Sequence, residues 1–272
     1  MSAEPTARTF RVRATPRARR AMRRLGAEVR LLKGTGPGGR IVQADVGDAP
    51  APGNRRPLGT MRRAIAGRLA HSKQTIPHFY ARQTIDADAL AAFVAERKKS
   101  VRCSLNDALL KAVALVVREF PVFRSRLDGD DVLELPDVHL GVAVGLTDGV
   151  VVPALLHADT LGLRALAEET RRIIAAARER RIENMGKSVF SVSNLGMFGL
   201  EEFTAIINPP ESAILAVGAL QDRPLARSGA LVLGKALTLT LSCDHRLVDG
   251  MAAAQFMARL RQILESPAGI LA

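Results

Sequence analysis

Residues 49–57 read Ala-Pro-Ala-Pro-Gly-Asn-Arg-Arg-Pro, and this stretch constrains the fold more than any other. Alternating prolines favour an extended, polyproline-like path, and no periodic apolar pattern crosses them. No shared core is expected to run through such a segment. The chain therefore divides into a head of residues 1–48 and a body of residues 58–272, joined by a short stiff linker. The two parts also differ in charge. Residues 1–56 hold thirteen Lys and Arg against four acidic residues, a net +9, whereas the rest holds 26 against 23, only +3. The formal charge of +12 is thus a basic head on a nearly neutral body. Such a head suits nucleic acid or an acidic protein face. Nucleic-acid modules usually interleave stacking aromatics with their basic residues, and only Phe10 is aromatic here. An acidic protein partner is expected, and no nucleic acid.

Within the head, Thr15-Pro16 opens a short helix that breaks at Gly26. A second short segment follows over residues 41–46. Between them, Gly34, Gly36 and Gly39 formally make Gly-x-Gly-x-x-Gly. A dinucleotide fingerprint needs a strand before it, a long helix after it and an acidic residue about twenty positions on. The linker arrives first. A phosphate loop would need Lys-Ser/Thr where Arg40-Ile41 stands. The loop reads as a tight structural turn between two short helices.

The body mixes helical and strand patterns. Helices are expected over residues 61–74, from an Asp86 cap to 99, from a Ser104/Asp107 start to 120, and over 163–181 and 250–264. Strands are expected over 77–85, 138–146, 150–156, 188–192, 212–220 and 231–243, with Thr147-Asp148-Gly149 turning a hairpin. Without strict βαβ alternation, these predict a layered α/β sandwich with a mixed sheet. Apolar residues at 47% and charged residues at 24% suit a packed core. With 4% aromatics and no Trp, that core must come from Ala, Val, Leu and Ile. Two cysteines in apolar stretches, Cys103 and Cys243, make no disulfide framework and suggest a reduced, cytoplasmic setting. No apolar run approaches about 18 residues, so no membrane span is expected. The Arg-rich N-terminus lacks the apolar segment of a secretory signal.

Two stretches could carry chemistry. In the first, an alternating strand over residues 237–243 ends in Cys243-Asp244-His245-Arg246-Leu247-Val248-Asp249, five polar or charged residues within seven, before a helix begins. Strand ends of this kind place side chains at the lip of a sheet. A neutral imidazole there can take a proton from a hydroxyl or thiol near pH 7, which makes His245 the natural general base. Taken alone, Asp249 reads as the cap of the following helix. The second stretch runs Phe190-Ser191-Val192-Ser193-Asn194-Leu195-Gly196, a strand turning through a Ser-Asn pair. A hydroxyl at such a bend can serve as nucleophile or oxyanion donor, though ordinary turns look the same.

Together these stretches resemble the catalytic domain of the dihydrolipoyl acyltransferases, the core components of 2-oxo acid dehydrogenase complexes. The resemblance runs through Ser72-Lys73-Gln74 and Pro77-His78-Phe79-Tyr80, then Ser193-Asn194-Leu195-Gly196-Met197-Phe198-Gly199. It continues through Phe203 to Pro210 and Ala213 to Gly218, and ends at Asp244-His245-Arg246 with Asp249-Gly250. The head resembles that family's small helical peripheral subunit-binding domain. The resemblance implies a chloramphenicol-acetyltransferase-like two-layer sandwich, typically a homotrimer with active sites at subunit interfaces. It puts the catalytic histidine on His245, the oxyanion-stabilising serine on Ser193 from a neighbouring subunit, and the supporting acid on Asp249. His78 and Asn194 are candidate substrate-binding residues. Direct transfer in a ternary complex leaves Cys243 as a core thiol rather than a nucleophile.

The family's lipoyl domain carries a lysine at a hairpin tip, and no segment here matches it, so no lipoyl attachment is expected on this chain, and no metal. Two functions follow. The favoured one is a free-standing transferase that moves acetyl from acetyl-CoA, as co-substrate, to the hydroxyl of a small-molecule acceptor. This would be similar to the acetyltransferases of tetronate natural-product pathways. The alternative is a dihydrolipoyl acyltransferase core component served by lipoyl domains on another chain. A silent scaffold is a third reading, against which His245, Ser193 and Asp249 speak.

Overall fold

The computed structural model describes residues 13–27, 32–47 and 57–269, in two compact units that divide between Leu58 and Gly59. The expected linker lies outside the described residues except for Pro57, as does the basic tail ahead of Arg13.

In the head, α1 (Pro16–Leu25) starts where the Thr15 hydroxyl accepts the Ala18 amide, with Pro16 in the first turn. It stops at Gly26, whose φ of 60° is the left-handed conformation that a residue without Cβ adopts without strain. The short α2 (Gln43–Gly47) follows. Ala18, Ala21 and Met22 pack against Ile41 and Val46 to make a core of only a few side chains. The Gly-rich loop is held by Asp45, whose carboxylate accepts the Thr35 amide and hydroxyl at 3.0 and 2.5 Å and the Val42 amide at 2.8 Å. A Cβ on Gly34 would stand 2.4 Å from the Gly39 carbonyl oxygen. The glycines let the backbone fold onto itself, as a structural turn requires.

The body begins with α3 (Thr60–Thr75), β1 (His78–Asp86), α4 (Asp88–Arg97) and α5 (Leu105–Glu119). A hairpin follows, of β2 (Ser125–Asp128) and β3 (Asp131–Glu134), and then four short strands: β4 (Leu140–Val142), β5 (Val144–Leu146), β6 (Gly149–Val151) and β7 (Ala154–Leu155). The chain ends through α6 (Leu163–Arg178), β8 (Phe190–Asn194), β9 (Ala213–Val217), β10 (Gln221–Arg227), β11 (Ala230–Asp244) and α7 (Gly250–Glu265). The main sheet runs β1-β11-β9-β8-β4-β7, with β10 paired to β11. β8 lies parallel to β4 and β9, and the other pairs are antiparallel, so the sheet is mixed as expected.

Period-two alternation explains the layering. On β9, Ala213, Leu215 and Val217 enter the main core with α5, α6 and α7, while Ile214 and Ala216 join Ile76, Ala205 and Ile207 on the opposite face. The rings of Phe123, Phe190 and Phe256 meet at the core's centre, with centroids 4.2 to 6.2 Å apart. This trio supplies bulk that an Ala- and Val-rich interior lacks.

Several boundaries differ from expectation. The strands expected over 138–146 and 150–156 each break in two, the first at Ala143, whose amide donates to Val192, and the second at Pro153, which has no amide to give the ladder. β4 and β7 stay in the main sheet, and β5 and β6 form their own hairpin. β10 is a strand beyond those expected from the sequence; it contains Pro224 and pairs only with β11, where a missing donor is tolerated. The α4 cap position falls on Ala87, and the Asp86 carboxylate accepts the Asp88 amide at 3.3 Å while binding Arg227 at 2.6 Å through both oxygens.

Candidate active site

β11 is buried along its second half and ends at Asp244, which is only 2% exposed. A buried carboxylate needs a partner. Asp244 receives Arg246 Nε at 2.9 Å and Nη2 at 2.7 Å, and its Oδ1 also accepts the Arg246 amide. The Asp244 carbonyl takes the Leu247 and Val248 amides. The chain is thereby pinned into a tight turn with His245 at its apex. The His245 amide donates to the Pro77 carbonyl at 3.1 Å, tying the turn to the start of β1. The His245 ring lies 4.9 Å from that of Phe79. The residue is exposed, and no described residue hydrogen-bonds its ring nitrogens, so the imidazole is free to accept a proton from an incoming group. The Asp244–Arg246 clamp was not singled out in the sequence, where the motif's charge density was its only signal.

Asp249 caps α7, its Oδ1 accepting the Ala252 amide at 2.7 Å. That geometry matches the helix-start reading. Cys243 is fully buried, and burial pushes its thiol up to about 12, which suits a core thiol and not a nucleophile.

Ser193 stands near the end of β8, half-buried. Through β9 it is level with Thr240, because both pair with Ala216. β8 runs antiparallel to β11 in this sheet, so Ser193 and His245 sit toward opposite ends of it. Five residues of rise and two strand spacings separate them by about 15–20 Å within one chain. One chain does not bring the two groups together. His245 and Asp249 share a turn, and Ser193 and Asn194 share the other end.

Asn194 and His78 both spend their hydrogen bonds inside the chain. Asn194 donates to Asn106 Oδ1 on α5 at 3.0 Å, and its own Oδ1 accepts the Gly196 amide at 2.9 Å. His78 Nδ1 lies 2.9 Å from the Ile76 carbonyl oxygen, and Nε2 accepts the Ile207 amide at 3.1 Å. This pairing describes a neutral ring, and burial holds its proton affinity below the ordinary histidine value. Both side chains position backbone near the two candidate groups. Gly218 does the same at the serine end, where a Cβ would stand 2.0 Å from the Glu201 carbonyl oxygen.

Comparison with known proteins gives this arrangement a family. The model for the 2-oxoacid dehydrogenases acyltransferase (catalytic domain) matches residues 50–272, and that for the E3 binding domain matches residues 12–47. The dihydrolipoyllysine-residue acetyltransferase component of the pyruvate dehydrogenase complex of Zymomonas mobilis is 36% identical, over 100% of this chain and 69% of its own length. The cubic core of the pyruvate dehydrogenase multienzyme complex superposes with a TM-score of 0.78 at 32% identity, covering 82% of this chain and 95% of that one. Azotobacter vinelandii dihydrolipoamide acetyltransferase gives 0.77 at 32% identity, with the same coverage. In that enzyme a serine, a histidine and an asparagine were investigated for their role in catalysis. The serine lies 52 positions before the histidine and the asparagine four after it, the intervals that separate Ser193, His245 and Asp249. These relatives are components of dehydrogenase complexes, not acetyltransferases of tetronate pathways, so the favoured hydroxyl-acceptor reading gives way to its alternative. The chain belongs to the 2-oxoacid dehydrogenase acyltransferase family, an acyltransferase with an E3-binding domain ahead of its catalytic domain.

Proposed function

We propose that this protein transfers an acyl group, acetyl in the simplest case, between coenzyme A and the thiol of a dihydrolipoyl group presented by another chain. The observation that carries the reading is the shared spacing of serine, histidine and helix-capping residue with a dihydrolipoamide acetyltransferase. His245 takes the proton of the attacking thiol, and the thiolate adds to the thioester carbonyl. The Ser193 hydroxyl of a neighbouring copy donates a hydrogen bond to the tetrahedral oxyanion, a contact worth roughly 3–4 kcal/mol in comparable sites. Collapse breaks the original C–S bond, and the leaving thiolate recovers the proton from the imidazolium. Both directions use the same atoms, and no metal enters the step. Asp249 fixes the start of α7 and with it the geometry of the turn.

The opposite-end placement of His245 and Ser193 supports a homotrimer, or a larger assembly of trimers, with each site built between two copies. The basic head, with Arg17, Arg19, Arg20, Arg23 and Arg24 on or beside α1, suits the acidic face of a partner subunit. The test is to incubate the purified chain with acetyl-CoA and follow release of coenzyme A. Turnover with free dihydrolipoamide is expected, with His245→Ala reducing it about 10³-fold or more and Ser193→Ala about 10²–10³-fold. Release only with hydroxylated small molecules, or full turnover by His245→Ala, would overturn the reading.

A further inference from the structure

At the other edge of the sheet from β1, three side chains with metal-binding atoms converge. Asp137 and His139 precede β4 two residues apart, Asp137 in a bend of the chain. His157 follows β7, the edge strand that pairs with β4 through Leu140 and Leu155. The Ala158 amide continues that pairing to the Val138 carbonyl at 2.9 Å. His157 itself takes a φ of 48°, the left-handed region that histidine enters more readily than most residues. Its ring is thereby turned against that of His139, with centroids 4.7 Å apart and planes at 84°.

The ligand atoms of the three residues all lie within 4.8 Å of one another. His157 Nδ1 is 3.4 Å from Asp137 Oδ1, long for a hydrogen bond. Two ligands held 2.0–2.1 Å from one tetrahedral ion stand about 3.4 Å apart, the separation of this pair, and the cluster's wider separations, up to 4.8 Å, would close as an ion binds. His139 Nδ1 accepts the His157 amide at 3.1 Å, and that bond would yield its lone pair to an ion. Asp137 and His139, though not His157, also line a cavity of about 300 Å³ with Lys187, Ser188 and Glu211 beside the cluster. Two imidazoles and one carboxylate form a borderline donor set that selects zinc over calcium or magnesium.

We propose that Asp137, His139 and His157 form a zinc site that ties the start of β4 to the end of β7. Asp-x-His with a histidine eighteen positions later is not a familiar zinc spacing, which is why the sequence carried no metal expectation. The experiment uses the full chain, stripped with EDTA and titrated with Zn²⁺ by calorimetry and with Co²⁺ by visible absorption. One site of micromolar affinity or better is expected, with a Co²⁺ band intense enough for tetrahedral coordination. His139→Ala and His157→Ala should each weaken binding at least about tenfold, and Asp137→Asn somewhat less. Lys187→Gln, which removes a repelling charge from the cavity, should tighten it. Zinc should raise the melting temperature of the wild type and not that of the His139→Ala/His157→Ala double variant. Equal affinity in wild type and double variant would put the ion on another histidine, and no saturation below about 100 μM would mean no site; either result overturns the proposal.

Discussion

Buried polar side chains tie the stability of this protein to pH, while its candidate base is exposed. Glu211 is 3% exposed, accepts the Ser188 hydroxyl at 2.6 Å and the Asn208 amide at 2.7 Å through Oε1, and is pushed up to about 7 by burial. A carboxyl whose folded value exceeds its unfolded one stabilises the fold fully below the unfolded value and loses that contribution as pH rises. Stability is therefore expected to fall between about pH 4.5 and 7, by on the order of 3 kcal/mol. Glu211→Gln should flatten that slope in denaturant melts taken across the range. Cys243 gives a second residue-scale expectation. Its thiol takes no part in the transfer, so Cys243→Ala should keep turnover within about twofold while costing roughly 1 kcal/mol in stability from the lost sulfur volume. A large loss of turnover in a stably folded variant would return the thiol to the reaction.

Helix starts and loop approaches show the same economy at the scale of elements. Asp249 caps the helix that follows the candidate base, and the cap also orients the turn. Asp249→Ala should lower stability by about 1 kcal/mol, and Asp249→Asn should restore most of it, because an amide oxygen accepts the Ala252 amide equally well. If turnover follows stability through this pair, the side chain acts by capping; if Asn restores the fold and not the rate, its charge acts on His245. The loop beyond Ser193 depends on a close approach instead. A methyl on Gly218 would meet the Glu201 carbonyl oxygen at 2.0 Å, so Gly218→Ala must displace one backbone or the other. A loss of several kcal/mol by thermal melting is expected, as for other overpacked positions.

For the whole molecule, the decisive fact is that His245 and Ser193 lie toward opposite ends of one sheet. An active site shared between copies makes a prediction that a site within one chain does not. His245→Ala and Ser193→Ala subunits, unfolded together and reassembled at equal ratio, should recover about a quarter of wild-type turnover, the share of interfaces that join an intact histidine to an intact serine. Mixing without exchange should recover none. No recovery after reassembly into mixed oligomers would place both groups in one chain.

Local rules were enough for a large part of this protein. Thr15-Pro16, Ser104 with Asp107, and Asp249 announce helix starts because a cap needs only its own next few residues. The alternation through residues 237–243 announces a sheet strand, and the polar residues after it a turn at the sheet's lip. The candidate base and its capping acid were legible for that reason, since they lie four positions apart on one turn. What remained hidden depends on contacts distant in sequence. Pairing with β11 alone let β10 keep Pro224, Arg227 shares the Asp86 carboxylate with the start of α4, and Pro153 falls where β6 and β7 part. Nothing in the sequence announces that Ile207, 129 positions away, donates its amide to the His78 ring. The convergence of Asp137, His139 and His157 exists only because β4 pairs with β7. Hydrophobic period and capping act over a few residues and are written in order along the chain, whereas strand pairing chooses neighbours by the free energy of the whole core.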